Sequence, residues 1–378
     1  MSERPVVVIG AGQGGLSTAL ALKDAGVRAL VLDRADQLAA SWRGRYDRLR
    51  LNSSRWFSHL PGRRYPKGTP LFPSRDEVIS YLERHARDAA IETRFGITVN
   101  RIDNDDGAWV ARSDDGDVAA AQMVVATGYE AMPMIPEWPG RAEFTGGLLH
   151  ASDYRNPEPY LNRRVLVVGS GCSGMEIAYD LAEGGAGKVW LSARTPPNIV
   201  LRQGPGPLPG DLIAKVLQHA PVRFADAFAR FGRRMDVGDL SEYGLPVPEE
   251  GVFSRLHRLG VVPSIVDREV IEAIKAGNIK VVRGVESLDT EGVRLASGDR
   301  IEPEVVISAT GYQRRLEPLV GHLGVLDERG VPRRQGREAA APGLRFIGYT
   351  ARPAALGYMG RQGKRAAKAI ASELRDRV

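Results

Sequence analysis

The first clear pattern in the chain is Val6 to Ile9, four consecutive apolar residues that run into Gly10, Gly12 and Gly15. An unbroken short apolar run fits a parallel strand buried on both faces. Helix formers follow from Leu16 to Ala25, Gly26 supplies a C-cap, and a second apolar run, Ala29 to Leu32, stops at Asp33. This spacing predicts a β-α-β unit. The unit recurs in the second half as strand Val165 to Val168, then Gly169, Gly171 and Gly174, a helix through Leu181 and strand Val189 to Leu191. Two more strand-like runs, Met123 to Val125 and Val305 to Ser308, each lead into the tetrapeptide ATGY. Apolar periodicity predicts helices over Asp211–His219, Arg223–Met235 and Arg268–Ala276, while the Pro/Gly-rich stretch Pro196 to Gly210 reads as a loop.

Length agrees with a duplicated architecture. At 378 residues the chain exceeds what one core usually supports, since single cores stop growing near about 250–300 residues. Apolar residues at 43% and charged residues at 26% exclude a disordered or fibrous chain. The net charge of +6 is spread among acids, so nucleic-acid binding is not expected, and Arg223–Met235 reads as a solvated helix face rather than one leaning on a membrane or an acidic partner. Cys172 is the one cysteine. No internal disulfide, CxxC redox pair or thiolate metal site can form, which fits a cytoplasmic setting. The N-terminal apolar run is too short for a signal peptide, and no run of about 18 apolar residues is present to span a membrane. His59, His85, His219, His257 and His322 lack ligand spacing, so no metal is expected.

The glycines carry the first chemical signal. GAGQGG and GSGCSG share the G-x-G-x-x-G spacing, each after a strand and before a helix. There a Cβ would block the tight turn or the approach of a diphosphate to the helix N-terminus. The residue ending the next strand selects the nucleotide. Asp33 accepts hydrogen bonds from a free ribose 2′-hydroxyl and repels a 2′-phosphate, so the first loop suits FAD or NAD. The second unit ends in Leu191, Ser192, Ala193 and Arg194 with no acid, and Arg194 suits the 2′-phosphate of NADPH. Cys172 sits in the second loop, where a small side chain fits the turn.

A family resemblance rests on residues between the two loops. Phe144, Gly146, His150 and Tyr154 fit F-x-G-x-x-x-H-x-x-x-Y, which resembles the fingerprint of flavin-containing monooxygenases. YDRLRL, the two ATGY elements at Ala126–Tyr129 and Ala309–Tyr312, and GCSGMEIA resemble the YUCCA branch, whereas LNSSRWF is more similar to the animal branch. The resemblance implies an α/β fold of two nested three-layer dinucleotide-binding (Rossmann-like) domains. An FAD domain, 1–150 and 303–378, is interrupted by an NADPH domain, 151–302. It implies that Gly10, Gly12, Gly14, Gly15, Asp33, Arg34, Trp42, Asn52, Thr127, Gly128, Gly169, Gly171, Cys172, Ser173, Gly174, Arg194, Gly311 and Gly357 meet the cofactors.

His150 would be a hinge and cofactor contact, and Asn52 would act where oxygen reacts, although Asn52 equally suits a turn cap and Trp42 a core position. A closing helix is expected to start near Gly357. The implied reaction has NADPH reduce FAD, NADP remain bound and O₂ form a flavin C4a-hydroperoxide that oxygenates a small organic substrate. The transfer would be N- or S-oxygenation, Baeyer–Villiger-type insertion or oxidative decarboxylation of a 2-oxo acid. An NADPH oxidase releasing hydrogen peroxide and a non-catalytic NADPH sensor are the alternatives, and a homodimer is left open.

Overall fold

The computed structural model describes residues 4–105, 107–204, 208–350, 352 and 354–376. Ten of its strands build two parallel sheets: β1 (Val6–Ile9), β2 (Ala29–Leu32), β3 (Thr93–Arg94), β4 (Gln122–Val125), β5 (Gly147–His150), β6 (Arg164–Val168), β7 (Lys188–Ala193), β8 (Ile279–Arg283), β9 (Val305–Ser308) and β10 (Leu344–Phe346). The first sheet has the order β10-β4-β1-β2-β3, the second β8-β7-β6-β9-β5. The helices that position the site are α1 (Gln13–Asp24), α2 (Arg75–Asp88), α3 (Cys172–Glu183), α4 (Gly210–Leu217), α5 (Val222–Asp236), α6 (Val252–Leu259), α7 (Arg268–Lys275) and α8 (Ala355–Arg375).

Strand side chains alternate between faces, and here both faces are apolar because both are covered. Val6 and Val8 pack with Leu16, Leu20 and Ile370 on the helical side, while Val7 and Ile9 pack with Ile102, Trp109 and Phe346 on the other. The second half repeats this with Val165 and Val167 against Met175 and Ile177, and Leu166 and Val168 against Leu288, Val293 and Leu295. In each half the non-helical face is covered by a three-stranded antiparallel meander, within 99–120 and 285–301. Each half is thus three layers thick. At about 1.5–3 kcal/mol per fully buried aliphatic side chain, these runs are the main force holding strands to layers.

Chain connectivity nests one half in the other. β10 pairs with β4, and α8 packs along α1, so the C-terminal segment returns to the first sheet. β9 lies between β6 and β5 in the second sheet. Both β5 and β9 fall outside the 151–302 span expected from sequence for the inserted unit. The change of sheet lies before Gly147 and after Ser308, because sheet membership follows backbone pairing that the fingerprint does not report. The expected loop Pro196–Gly210 contains a strand, Ile199–Leu201, paired in parallel with Ser264–Val266; its residues 205–207 lie outside the described ones. No helix among the described residues is long and apolar enough to cross a membrane.

Candidate functional site

The two glycine turns are near-copies. A Cβ on Gly10 would stand 2.5 Å from the Ala126 carbonyl oxygen, and one on Gly169 would stand 2.4 Å from that of Ala309. The close approach of each ATGY strand end therefore requires glycine at the first position, and each has a positive φ, 106° and 117°. A Cβ on Gly15 or Gly174 would lie 1.8 or 1.7 Å from the carbonyl oxygen of Gly10 or Gly169. Gly12 and Gly171 differ from these: a Cβ there meets no atom within 4 Å, and each caps the start of a helix, α1 or α3. No protein atom requires glycine at these two positions, and the open helix ends have room for a diphosphate. Gly14 rests on Ile347, and Ser173 is half-buried in the first turn of α3.

The strand ends beside the turns carry opposite charges. Asp33 Oδ2 accepts the Ala11 N–H at 2.5 Å and Oδ1 accepts that of Ala35 at 2.8 Å, which holds the carboxylate against the first turn. Arg194 follows β7, is exposed, and has no ion pair among the described residues. The residues present therefore fit one unphosphorylated and one 2′-phosphorylated dinucleotide. The two ATGY elements flank the turns, with Gly128 and Gly311 in left-handed conformations at φ 79° and 90° and Thr127 Oγ1 2.7 Å from the Tyr349 hydroxyl.

Other expected contacts have structural partners. Arg34 donates to the Ala131 carbonyl at 3.0 Å, and Trp42 packs half-buried on the first core. Gly357 lies inside α8, where a Cβ would stand 1.8 Å from the Phe57 carbonyl oxygen. That position serves helix–loop packing; α8 itself begins at Ala355. Cys172 Sγ accepts the Ile265 N–H at 3.2 Å, and burial pushes its thiol up, so it is no thiolate.

The fingerprint forms a joint. Tyr154 is fully buried and donates to Asp180 at 2.8 Å, Gly146 has no room for a Cβ beside the Phe144 ring, and His150 ends β5. His150 Nδ1 accepts the Ser152 N–H at 3.0 Å. A backbone N–H only donates, so Nδ1 carries no proton and Nε2–H must donate to the Gly311 carbonyl, also at 3.0 Å. Burial lowers the pKa of the ring, consistent with a neutral imidazole. Both nitrogens are used within the protein, and His150 fixes the second ATGY element to the joint.

Asn52 lies in the loop before the short helix Arg55–Ser58, at the seam between the halves. Its Oδ1 accepts from Arg202 Nη2 at 3.3 Å. A guanidinium only donates, so the amide oxygen faces Arg202 and the NH₂ is turned away. Arg202 is 3% exposed and is paired with Glu176 of α3 at 2.8 Å and with Asp267. Burial raises the Glu176 carboxyl against the opposing pull of Arg202. Sequence reasoning missed this network, although an acid within the apolar stretch MEIA was a usable signal. Nearby, Ser54 N–H and Oγ donate to Asp211 Oδ2 at 2.7 and 2.9 Å, tying α4 to the same loop.

The chain is similar to known proteins. Residues 7–198 match the pyridine nucleotide-disulphide oxidoreductase family. The chain is 36% identical over 327 residues to indole-3-pyruvate monooxygenase YUCCA1 of Oryza sativa subsp. japonica, covering 85% of this chain and 80% of that relative. It is 32% identical over 359 residues to the probable indole-3-pyruvate monooxygenase YUCCA4 of Arabidopsis thaliana, covering 92% and 85%. A mutant flavin monooxygenase from Stenotrophomonas maltophilia superposes with a TM-score of 0.74 at 23% identity, covering 99% of this chain and 100% of that one, which is a likeness of fold. The cofactors of this chain are FAD and NADPH, and with a single cysteine it has no disulfide pair for a reductase reaction. The chain belongs to the pyridine nucleotide-disulphide oxidoreductase family and, within it, is a flavin-dependent monooxygenase of the YUCCA type.

Proposed function

We propose that the chain holds FAD at Gly10, Gly12, Gly15 and Asp33 and NADPH at Gly169, Gly171, Gly174 and Arg194, and that it oxygenates an aryl 2-oxo acid of the indole-3-pyruvate kind. The observation that carries the cofactor assignment is the duplication itself: two open glycine positions, one beside an acid and one beside a cation with no ion pair among the described residues. The substrate assignment rests on the activity in the names of relatives 36% and 32% identical to this chain.

In this reaction NADPH supplies two electrons and O₂ two oxygen atoms. One oxygen joins the 2-oxo carbon, the bond from that carbon to the carboxylate breaks, carbon dioxide leaves, and the second oxygen becomes water. Bound FAD supplies the route for electrons from nicotinamide to O₂. Arg202 takes the Asn52 oxygen, which leaves Nδ2–H as a donor toward the reacting oxygen. His150 sets the position of Gly311 and moves no proton. A cytoplasmic location, with NADPH at hand and Cys172 reduced, belongs to the same reading.

The test is NADPH oxidation with product analysis across 2-oxo acids, ketones, sulfides and amines. Coupled decarboxylation confined to aryl 2-oxo acids supports the proposal. Product from another class reassigns the substrate, and stoichiometric hydrogen peroxide with every compound makes the protein an NADPH oxidase.

A further inference from the structure

Helix α5 meets the body of the protein with its small and polar face. Ala225, Asp226 and Arg233 are buried, while Phe224, Phe228, Phe231 and Met235 are 59%, 45%, 64% and 70% exposed. Spacings of four, three and four residues place these four on one side, in a stripe about 16 Å long at 1.5 Å per residue. A surface helix of a globular protein turns its apolar stripe to the core. α5 packs only Val222, Ala225 and Ala229 inward against the Phe253 cluster and leaves its four largest apolar side chains outside.

The inversion is pinned. Asp226 accepts the Phe253 N–H at 2.7 Å and the Ser254 hydroxyl at 2.5 Å, binding the start of α6. The same packing buries the Arg233 guanidinium with no hydrogen-bond partner, a penalty that half a turn of the helix would remove. Eleven of the seventeen large apolar side chains exposed among the described residues fall between Leu208 and Val262, the segment that contains α5.

Charge selects what covers it. Arg223, Arg230 and Arg234 are exposed, and at 100° per residue they project from one flank, roughly 90–130° from the stripe centre. The carboxylates of α5 are committed elsewhere: Asp226 on α6 and Asp236 beside Arg268 at 3.9 Å. Of the neighbouring acids, Glu250 is paired with Arg258, while the Glu249 backbone carbonyl accepts from Arg230. In an antiparallel two-fold pairing the arginine flanks of two copies would meet, which disfavours that pairing. An anionic bilayer offers phosphate beside hydrocarbon along one continuous plane, which matches an apolar stripe with a basic flank.

We propose that α5 is an interfacial docking helix that lays Phe224, Phe228, Phe231 and Met235 into the headgroup–acyl boundary of an anionic membrane, with Arg223, Arg230 and Arg234 on lipid phosphates and no span across it. α4, just before it, is tied to the Asn52 loop through Asp211 and Ser54, and Lys215 lies 4.1 Å over the Phe57 ring. Docking would therefore hold the Asn52 loop close to the lipid surface.

The test is flotation of the FAD-loaded full chain with vesicles of phosphatidylcholine, with or without phosphatidylglycerol, at low and high salt. Expected are binding to the anionic vesicles, release by salt, and binding more than about tenfold weaker to phosphatidylcholine alone, since each of the three arginines adds attraction. The double variant Phe228→Glu/Phe231→Glu should lose binding with FAD content and melting temperature unchanged. The triple variant Arg223→Gln/Arg230→Gln/Arg234→Gln should lose the preference for anionic lipid. If the glutamate variant misfolds, the wild-type salt and lipid dependence and the arginine variant decide alone. A wild-type chain that stays unbound overturns the proposal, as does a folded glutamate variant that binds normally. Sedimentation showing a dimer that the glutamate variant splits makes a second copy the occupant.

Discussion

Gly171 and Gly174 stand three residues apart in one turn, yet replacing each with alanine should have opposite consequences. At Gly174 the new methyl would lie 1.7 Å from the Gly169 carbonyl oxygen, and backbone is what must move to relieve it. Overpacking of this kind costs about 1–3 kcal/mol. At about 2–4 °C per kcal/mol for a unit of this size, the melting temperature should fall by about 2–12 °C. At Gly171 φ is −75° and ψ 179°, which alanine adopts freely, and the methyl meets nothing within 4 Å. The protein without nucleotide should be unchanged or gain about 0.4–1 kcal/mol from the stiffer unfolded chain. The methyl would instead occupy the path of the diphosphate. Loss of its charge-assisted contacts, about 1.5–3 kcal/mol, should raise the KM for NADPH roughly ten- to hundredfold. Thermal melts with and without NADP, steady-state KM and the FAD released on denaturation separate the two effects. A Gly171→Ala variant with normal KM for NADPH, or one that loses FAD, would refute the assignment of the second turn.

Replacing Arg194 with Ala should raise the KM for NADPH roughly ten- to hundredfold, the loss of one charge-assisted contact, and leave NADH unaffected; equal effects on both would move the 2′-phosphate elsewhere. Replacing Asn52 with Leu should preserve FAD content and NADPH-driven reduction but release more hydrogen peroxide per NADPH, and unchanged coupling in a less stable protein would reduce Asn52 to a structural role. Burial holds the folded-state pKa of His150 below its ordinary 6.5. Its contribution to stability should be fully present above that pH and lost as pH falls below it, because the unfolded chain then binds more protons. His85 is lowered too, so the measurement is the difference between wild type and His150→Gln. The variant should lose less stability than wild type between neutral and mildly acidic pH, and parallel curves would contradict the neutral joint.

What the sequence disclosed was local. β1, the first glycine turn and β2 follow from consecutive residues, and the second turn could be matched to the first by spacing. Helix α1 begins at Gln13, earlier than the helix formers suggest, because Gly12 is its N-cap and two glycines are accommodated in its first turn. The Asn52 network was hidden because Arg202 meets Glu176 across 26 residues and Asn52 across 150. Strand Ile199–Leu201 was masked by prolines and glycines around it, and its partner Ser264–Val266 lies far along the chain. The outward stripe of α5 illustrates a further limit: periodicity located the helix, but contacts with distant α6, of Ala225 with Phe253 and of Asp226 with its first turn, decide which face is buried.

The central claim is that this chain joins one atom of O₂ to an organic acid for each NADPH it spends. It is tested most directly by turnover of indole-3-pyruvate under isotopically heavy O₂, with mass analysis of the acid and assay of hydrogen peroxide. The expected result is one heavy oxygen in the new carboxylate, carbon dioxide and NADP in equal amounts, and little peroxide. An unlabelled acid, or peroxide equal to the NADPH consumed, would contradict it.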